Sequence, residues 1–472
     1  MNKTSTNGLD VTAPAAPAAP VASARPAKKA LGFTTMIAIC IGVVVVQGAM
    51  MSALQGLGFG GLGFIAAFAV AFILAQCYVQ SFAELSLMFP QAGTLATYTQ
   101  KAIGHFPAIV AVFAGYVIVA MFGLSAELLL VDAILDKLFP GVFPATLVPL
   151  SILVVLTALN ILGTDVFAKL QNVFTFAMVA ALLLVGLSAV GGLAEAPAAG
   201  FVPDVNWGWD GILDGSFIGL VALAMWLLVG AEFICPLIGE VRQPERNIPR
   251  SMTLSLTITF TLFVIFCVGA SRYLSVETLT TSPLPYLDYV FAVFGKGAVI
   301  IATVMALTAT CSTVNTVLAA VPRMLCGMAE NGQAFPQMKV LHKRFGTPWM
   351  AIVFVAIIIA LPFLLMGPDS IITLLIAAST SWLLAYIIAH VNVMVLRRRQ
   401  PHLPRPYKSA LYPLPQIVGI LGMGYIALNN SPSPEMTQTV YLLTGAVLGL
   451  VGLIALAWVK LVMKRKLFEP DI

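Results

Sequence analysis

The residues best placed for chemistry lie in the stretch Trp226-Leu-Leu-Val-Gly-Ala-Glu232-Phe-Ile-Cys-Pro236-Leu-Ile-Gly-Glu240. It begins inside an apolar run, Phe217 to Gly230, and then sets a carboxylate and a proline at lipid depth. It leaves into Arg242, Arg246 and Arg250, which mark a membrane edge. Glu232 is ten residues in from Arg242, roughly 15 Å at helical rise and near the middle of a bilayer about 30 Å thick. A carboxylate there costs about 3 kcal/mol or more unless it faces protein or a water-filled cavity. Gly230 and Pro236 bracket it, and Pro236 has no N–H, so an α-helical pattern leaves the carbonyl of Glu232 without its donor. Irregular backbone at this depth survives only where it lines a cavity or is buried in protein. The stretch reads as a binding site.

The elements that carry it are membrane helices. Hydrophobic residues make up 60% of the 472, charged residues 10%, and the mean hydropathy is +0.97. No soluble globular domain has that balance. Apolar segments of helix-spanning length recur along nearly the whole chain, so the lipid bilayer is the first partner. The six cysteines all fall inside apolar runs, without metal-ligand or disulfide spacing, and read as small core residues. The excess of basic residues is no sign of nucleic-acid binding, because those residues are sorted by membrane side.

Twelve spans are expected, at 33–55, 61–88, 105–134, 143–162, 168–190, 216–239, 251–271, 294–322, 349–366, 370–396, 412–428 and 437–460. With the N-terminus inside, 22 of the 25 Lys and Arg residues fall in inner segments. Only Lys137, Arg272 and Lys296 fall outside. Adding or dropping a span scrambles that split, so the positive-inside rule supports both the count and the orientation. The expectation is a multi-pass protein of the cell (inner) membrane with both termini cytoplasmic.

Residues 1–30, rich in Ala, Pro, Ser and Thr, read as a disordered cytoplasmic tail. The transmembrane domain takes 31–472: a first block over 31–190, a second over 216–396, and two further helices over 412–460. The outer loop 191–215, with Trp207 and Trp209, separates the two blocks. Each has five helices, so they enter the membrane from opposite sides. The first helix of each is interrupted: Gly42-Val-Val-Val-Val-Gln47-Gly48-Ala-Met50 in one, Gly230, Glu232 and Pro236 in the other. Paired interruptions in inverted halves point to a transport site at the midplane.

Four segments resemble the amino acid–polyamine–organocation transporter superfamily. Gly42 to Met50 is similar to the family's broken first helix, with Val46 where the middle glycine of its signature stands. Ser81-Phe-Ala-Glu84-Leu-Ser-Leu-Met-Phe-Pro90-Gln-Ala-Gly93 is similar to its second-helix exit. Gly239-Glu240-Val-Arg-Gln-Pro244-Glu-Arg-Asn247-Ile-Pro249-Arg250 matches a family segment almost throughout. Asn315 to Gly332, leading to Arg344-Phe-Gly-Thr-Pro348, resembles the eighth helix and its exit. The resemblance implies an all-α fold, five plus five helices in inverted repeat with helices 1 and 6 broken around the substrate, and two C-terminal helices. It implies a secondary transporter of amino acids or related small amines, with polyamines, exchange of amino acids or amines, and a sensor of the same fold as alternatives.

On that basis the N–H groups of Gln47, Gly48 and Ala49 are expected to hold a substrate carboxylate. The carbonyls of Val43, Val44, Val229 and Gly230 are expected to accept an ammonium group. An α-amino acid uses both ends, whereas a polyamine leaves the amides empty. Trp226, one helical turn before Gly230, matches a family tryptophan that stacks on substrate; packing against a neighbouring helix is the bland alternative. Glu232 matches an acidic position used for recognising a cation or sensing pH, or else it caps broken backbone.

Glu84 and Glu240, at cytoplasmic helix ends within reach of Arg242, Arg246, Arg323 or Arg344, read as gate or structural ion pairs. Glu127, beside Ser125, either faces an outer vestibule or makes a fixed interhelical hydrogen bond. Asn315, with Ser312 and Thr313, either offers oxygens to a sodium ion or glues helices together. Proton-coupled relatives carry a lysine in helix 5, where this chain has Met178, and proton and sodium coupling both stay open. Trp382 and Tyr386 read as lid aromatics or core.

No catalytic cluster and no metal or cofactor site is expected. The four histidines, His105, His342, His390 and His402, are scattered, and neither an ion-filter motif nor an ATP-binding motif is present. That excludes a membrane enzyme, a channel and an ATP-driven pump.

Overall fold

So apolar a chain must satisfy its backbone within itself, and helices do so segment by segment. The computed structural model describes residues 30–197, 200–209, 217–429 and 434–471, and among them no strand is formed. Apart from Ala30, the N-terminal tail expected over 1–30 lies outside the described residues, as does part of the outer loop 191–215.

In chain order the helices are α1 (Phe33–Val44), α2 (Gln47–Gly60), α3 (Leu62–Met88), α4 (Leu95–Ala102), α5 (His105–Leu138), α6 (Leu147–Ile161), α7 (Thr164–Gly191) and α8 (Phe217–Met225). Helix α8 leads into a short 3₁₀ turn and, after a break, the 3₁₀ segment Ala231–Glu240. There follow α9 (Pro244–Ala270), α10 (Val276–Thr281), α11 (Pro285–Phe294), α12 (Ala298–Glu330), α13 (Trp349–Leu365), α14 (Ile371–Arg399), α15 (Leu414–Leu428) and α16 (Pro434–Ala457).

Among the described residues, eight helical stretches are long and apolar enough to cross a membrane. Helices α1 and α2 would add a ninth span as one pair bent by 61°, and α6, α13 and α15 are shorter apolar helices. Hydropathy located these elements but not their ends. Helix α9 starts at Pro244 rather than 251, because proline suits a helix's first position. Helix α12 runs on to Glu330, past Arg323, whose guanidinium is satisfied by ion pairing. Helices α4, α10 and α11 have six to ten residues, too short to register in a span-length hydropathy window.

Broken and unbroken helices are packed together at the centre. Helix α1 lies against α7, α9 and α12 and against the 3₁₀ segment 231–240. Just before its N-terminal end, Leu31 pairs with Val241: its N–H donates to Glu240 O at 3.0 Å, and its carbonyl accepts from Arg242 N–H at 3.0 Å. Helix α5 carries a π turn at Phe113–Val117 and packs along α13 and α14.

Candidate functional site

The first break falls where four valines, Val43 to Val46, run consecutively, and β-branched side chains weaken a helix. Val45 and Val46 are extended, and α2 restarts at Gln47. A helix start leaves its first N–H groups without α-helical partners, and those of Gln47, Gly48 and Ala49 are all bonded. Gln47 N–H donates to Glu127 Oε2 at 3.1 Å and Gly48 N–H to Glu127 Oε1 at 2.9 Å. Ala49 and Met50 both donate to Val46 O at 3.1 Å. The amides expected to stand open for a substrate are therefore bonded, two of them to a side chain from α5. The carbonyls of Val43 and Val44 lose their usual donors, because those donors are the Gln47 and Gly48 N–H groups.

The second break centres on Gly230, at φ 116°, in the left-handed region. A Cβ there would also stand 3.0 Å from Val43 Cγ1 and 3.2 Å from Trp382 Cη2. The two breaks thus touch. Gly230 N–H donates to Tyr386 Oη at 2.9 Å, and Ala231 N–H to Tyr78 Oη at 3.3 Å. Tyr78 in turn donates to Leu228 O at 2.8 Å and stacks on Tyr386 with centroids 4.2 Å apart. Because the chain continues as 3₁₀ rather than α, bonds run from i to i+3. Pro236 therefore removes the donor facing the carbonyl of Phe233, not that of Glu232.

The Glu232 carboxylate is fully buried and accepts from Trp382 Nε1 at 3.0 Å and Tyr386 Oη at 2.7 Å. Between the breaks lies a small cavity lined by Val43, Val44, Trp226, Val229, Phe233 and Trp382, with Glu127 and Thr313 at its edge. Water centres have about 30 Å³ there, room for one or two waters. Trp226 meets Trp382 edge-on at 6.1 Å, and its Nε1 has no partner. Glu232 is not on the cavity wall; Trp382, which holds it, is. Gln47, Gly48, Ala49 and Gly230 stand just outside it.

Beside α1 a second set of polar groups is fully satisfied. Gln171 Nε2 has two hydrogens for three acceptors, Ser312 Oγ at 2.7 Å, Thr175 Oγ1 at 3.1 Å and Ala38 O at 3.2 Å. Its Oε1 accepts from Asn315 Nδ2 at 2.9 Å, and Asn315 Oδ1 accepts from Asn160 at 2.9 Å. Thr313 donates to Gly42 O at 2.8 Å. A Cβ on Gly42 would lie 2.1 Å from Ser312 Oγ and 2.2 Å from Gln171 Nε2. Of the oxygens expected for a sodium ion, Ser312 Oγ meets the uncharged amide of Gln171, while those of Asn315 and Thr313 are bonded to Asn160 and to Gly42 O.

Both ends of the site are shut. On the side of α11, Tyr286 donates to Gln47 Oε1 at 2.6 Å, and Gln47 Nε2 donates to Thr310 at 2.7 Å. On the opposite side, Arg323 makes two bonds to Glu240, at 2.9 and 3.3 Å. Glu84 is paired with Arg397 at 2.5 Å and Arg405 at 3.5 Å, not with any of the four arginines expected. Helix α3 packs on α14 and α15 there, a neighbourhood that chain order did not reveal. Tyr78, Gln171, Tyr286 and Thr310 were not singled out as site residues. The signal available for Gln171 was its spacing of four from Thr175 within an apolar span.

A family model described as amino acid permease matches residues 31–454. The aromatic amino acid transport protein AroP of Escherichia coli (strain K12) is 27% identical over 421 residues, covering 86% of this chain and 90% of its own. The serine/threonine exchanger SteT of Bacillus subtilis (strain 168) is 25% identical over 435 residues, covering 90% of this chain and 95% of its own.

Proposed function

The chain belongs to the amino acid permease family, and from that premise we propose that it carries amino acids across the cell membrane by alternating access. The observation that carries this reading is the meeting of two broken helices around one cavity at mid-span. The N-terminus of α2 favours an anion, and the carbonyls of Val43, Val44 and Val229 suit an ammonium group. An α-amino acid holds both charges close enough together to use both. Its side chain would enter among Trp226, Phe233 and Trp382, which favours an apolar one.

The transport architecture is a twelve-span protein with both ends cytoplasmic. The eight long spans, the bent pair and the three shorter apolar helices support that count, and the sorting of basic residues supports the orientation. The five-plus-five inverted repeat accounts for one interruption opening each block. The Glu240–Arg323 and Glu84–Arg397 pairs serve as inner gates, and Tyr286, Gln47 and Thr310 close the outer side. The amide of Gln171, filling the place a sodium ion would take between α1, α7 and α12, favours a proton or a second substrate as the coupled species.

One observation favours a second reading. Glu127 already occupies the Gln47 and Gly48 amides, which suits an amine that brings no carboxylate. Thermal-shift screening of the purified protein against the twenty standard L-amino acids and their decarboxylated amines separates the two. Stabilisation by amino acids supports the first reading, and stabilisation by amines alone supports the second. Acceleration of labelled efflux by unlabelled external amino acid would mark exchange.

A further inference from the structure

Glu127 sits where an amino acid's carboxylate is proposed to bind. Its two oxygens accept separately from two consecutive N–H groups at the start of α2, the fit a bound carboxylate makes at a helix N-terminus. Thr310 Oγ1 is 3.5 Å from Oε2. The side chain is 2% exposed. Among the described residues no lysine, arginine or histidine lies within 4.0 Å of its carboxylate.

The titratable groups on the elements packed against α5 are otherwise neutral, bonded elsewhere or, like Asp369 on the 3₁₀ turn Pro368–Ser370 and Glu330 on α12, exposed. From α11 the Tyr286 hydroxyl faces it but bonds to Gln47. On α14, Tyr386 and His390 are bonded to Glu232 and Ser81, and the arginines lie at the far inner end. On α12, Arg323 is held by Glu240 and Cys311 is bonded to nothing described. Helices α6 and α13 contain no titratable residue.

We infer that Glu127 is a resident competitor for the substrate carboxylate, so that amino acid binding is coupled to the uptake of one proton by Glu127. This rests on the substrate site proposed above. An arriving carboxylate can take the Gln47 and Gly48 amides only if Glu127 leaves them. A displaced ionised Glu127 would have lost its donors, in a buried site, beside a second negative charge, and two carboxylates so close cannot both stay ionised. The neutral acid instead donates a hydrogen bond to the newcomer. The proton comes from the water on the side of entry, and a zwitterion then travels with one net positive charge. After release, Glu127 gives up the proton on the other side and caps the amides again, which closes the empty carrier.

The test is calorimetric titration of the full-length protein in detergent, in two buffers of different ionisation heat. The probes are the tightest-binding of the twenty standard L-amino acids and its decarboxylated amine. The expected result is about one proton taken up per amino acid bound and affinity rising about tenfold per unit fall in pH. The amine should take up none. In Glu127→Gln, uptake should vanish and the pH profile flatten. Proton-free binding of the amino acid by the wild type overturns the inference, whether or not the variant folds; so does undiminished uptake in Glu127→Gln. Binding of amines but of no amino acid overturns it in favour of the amine reading. Binding of neither class removes the substrate site itself.

Discussion

Gly48 has little room for a side chain beside the site. A Cβ added there would stand 3.1 Å from Glu127 Oε1 and 3.3 Å from Leu375, so Gly48→Leu should abolish substrate binding while the protein still inserts and folds. Trp226→Ala should weaken affinity at every pH by about 1 kcal/mol, roughly fivefold, because ring packing does not depend on a proton. Tyr386→Phe should lower stability by about 1–3 kcal/mol, since it strips a donor from Glu232 and an acceptor from Gly230 N–H; a thermal melt measures it. Glu232→Gln should leave the proton count per substrate near the wild-type value, because the residue meeting the carboxylate is Glu127. A charge in a long apolar run can be seen in sequence, so Glu232 and Glu127 stood out there. What each one bonds to could not be seen, because Trp382 and Tyr386 are about 150 residues away and reach Glu232 only through helix packing.

At the scale of elements, the breaks were legible because glycines, polar side chains and a proline oppose a helix where hydropathy demands one. The short helices α10 and α11 were not, since their positions depend on what they cover. Glu84 shows the same limit: its helix end was evident, but its partner Arg397 lies on a helix packed beside it only in space. Orientation can be tested on exposed loops. Ala145 and Ala410 are both exposed. In a background lacking the half-buried Cys311, a cysteine at Ala145 should react with an impermeant reagent in whole cells. One at Ala410 should react only after permeabilisation. Equal labelling of both in intact cells would end the twelve-span arrangement.

The whole molecule holds a cavity closed from both sides and too small for any amino acid, so substrate entry needs one gate to open. Removing the Glu240 charge by Glu240→Gln should favour inward opening. A cysteine at the cavity residue Val317 should then label from the inner side about fivefold faster, the shift that about 1 kcal/mol gives. The claim that joins residue, element and molecule is that amino acids bind between the helix breaks and are carried across. Uptake of each labelled standard L-amino acid into vesicles, with wild-type protein and with Gly48→Leu at equal content of folded protein, tests it most directly. The account predicts saturable uptake of at least one amino acid by the wild type and none above empty vesicles by Gly48→Leu. Equal uptake by the two proteins, or no uptake of any amino acid by the wild type, would contradict it.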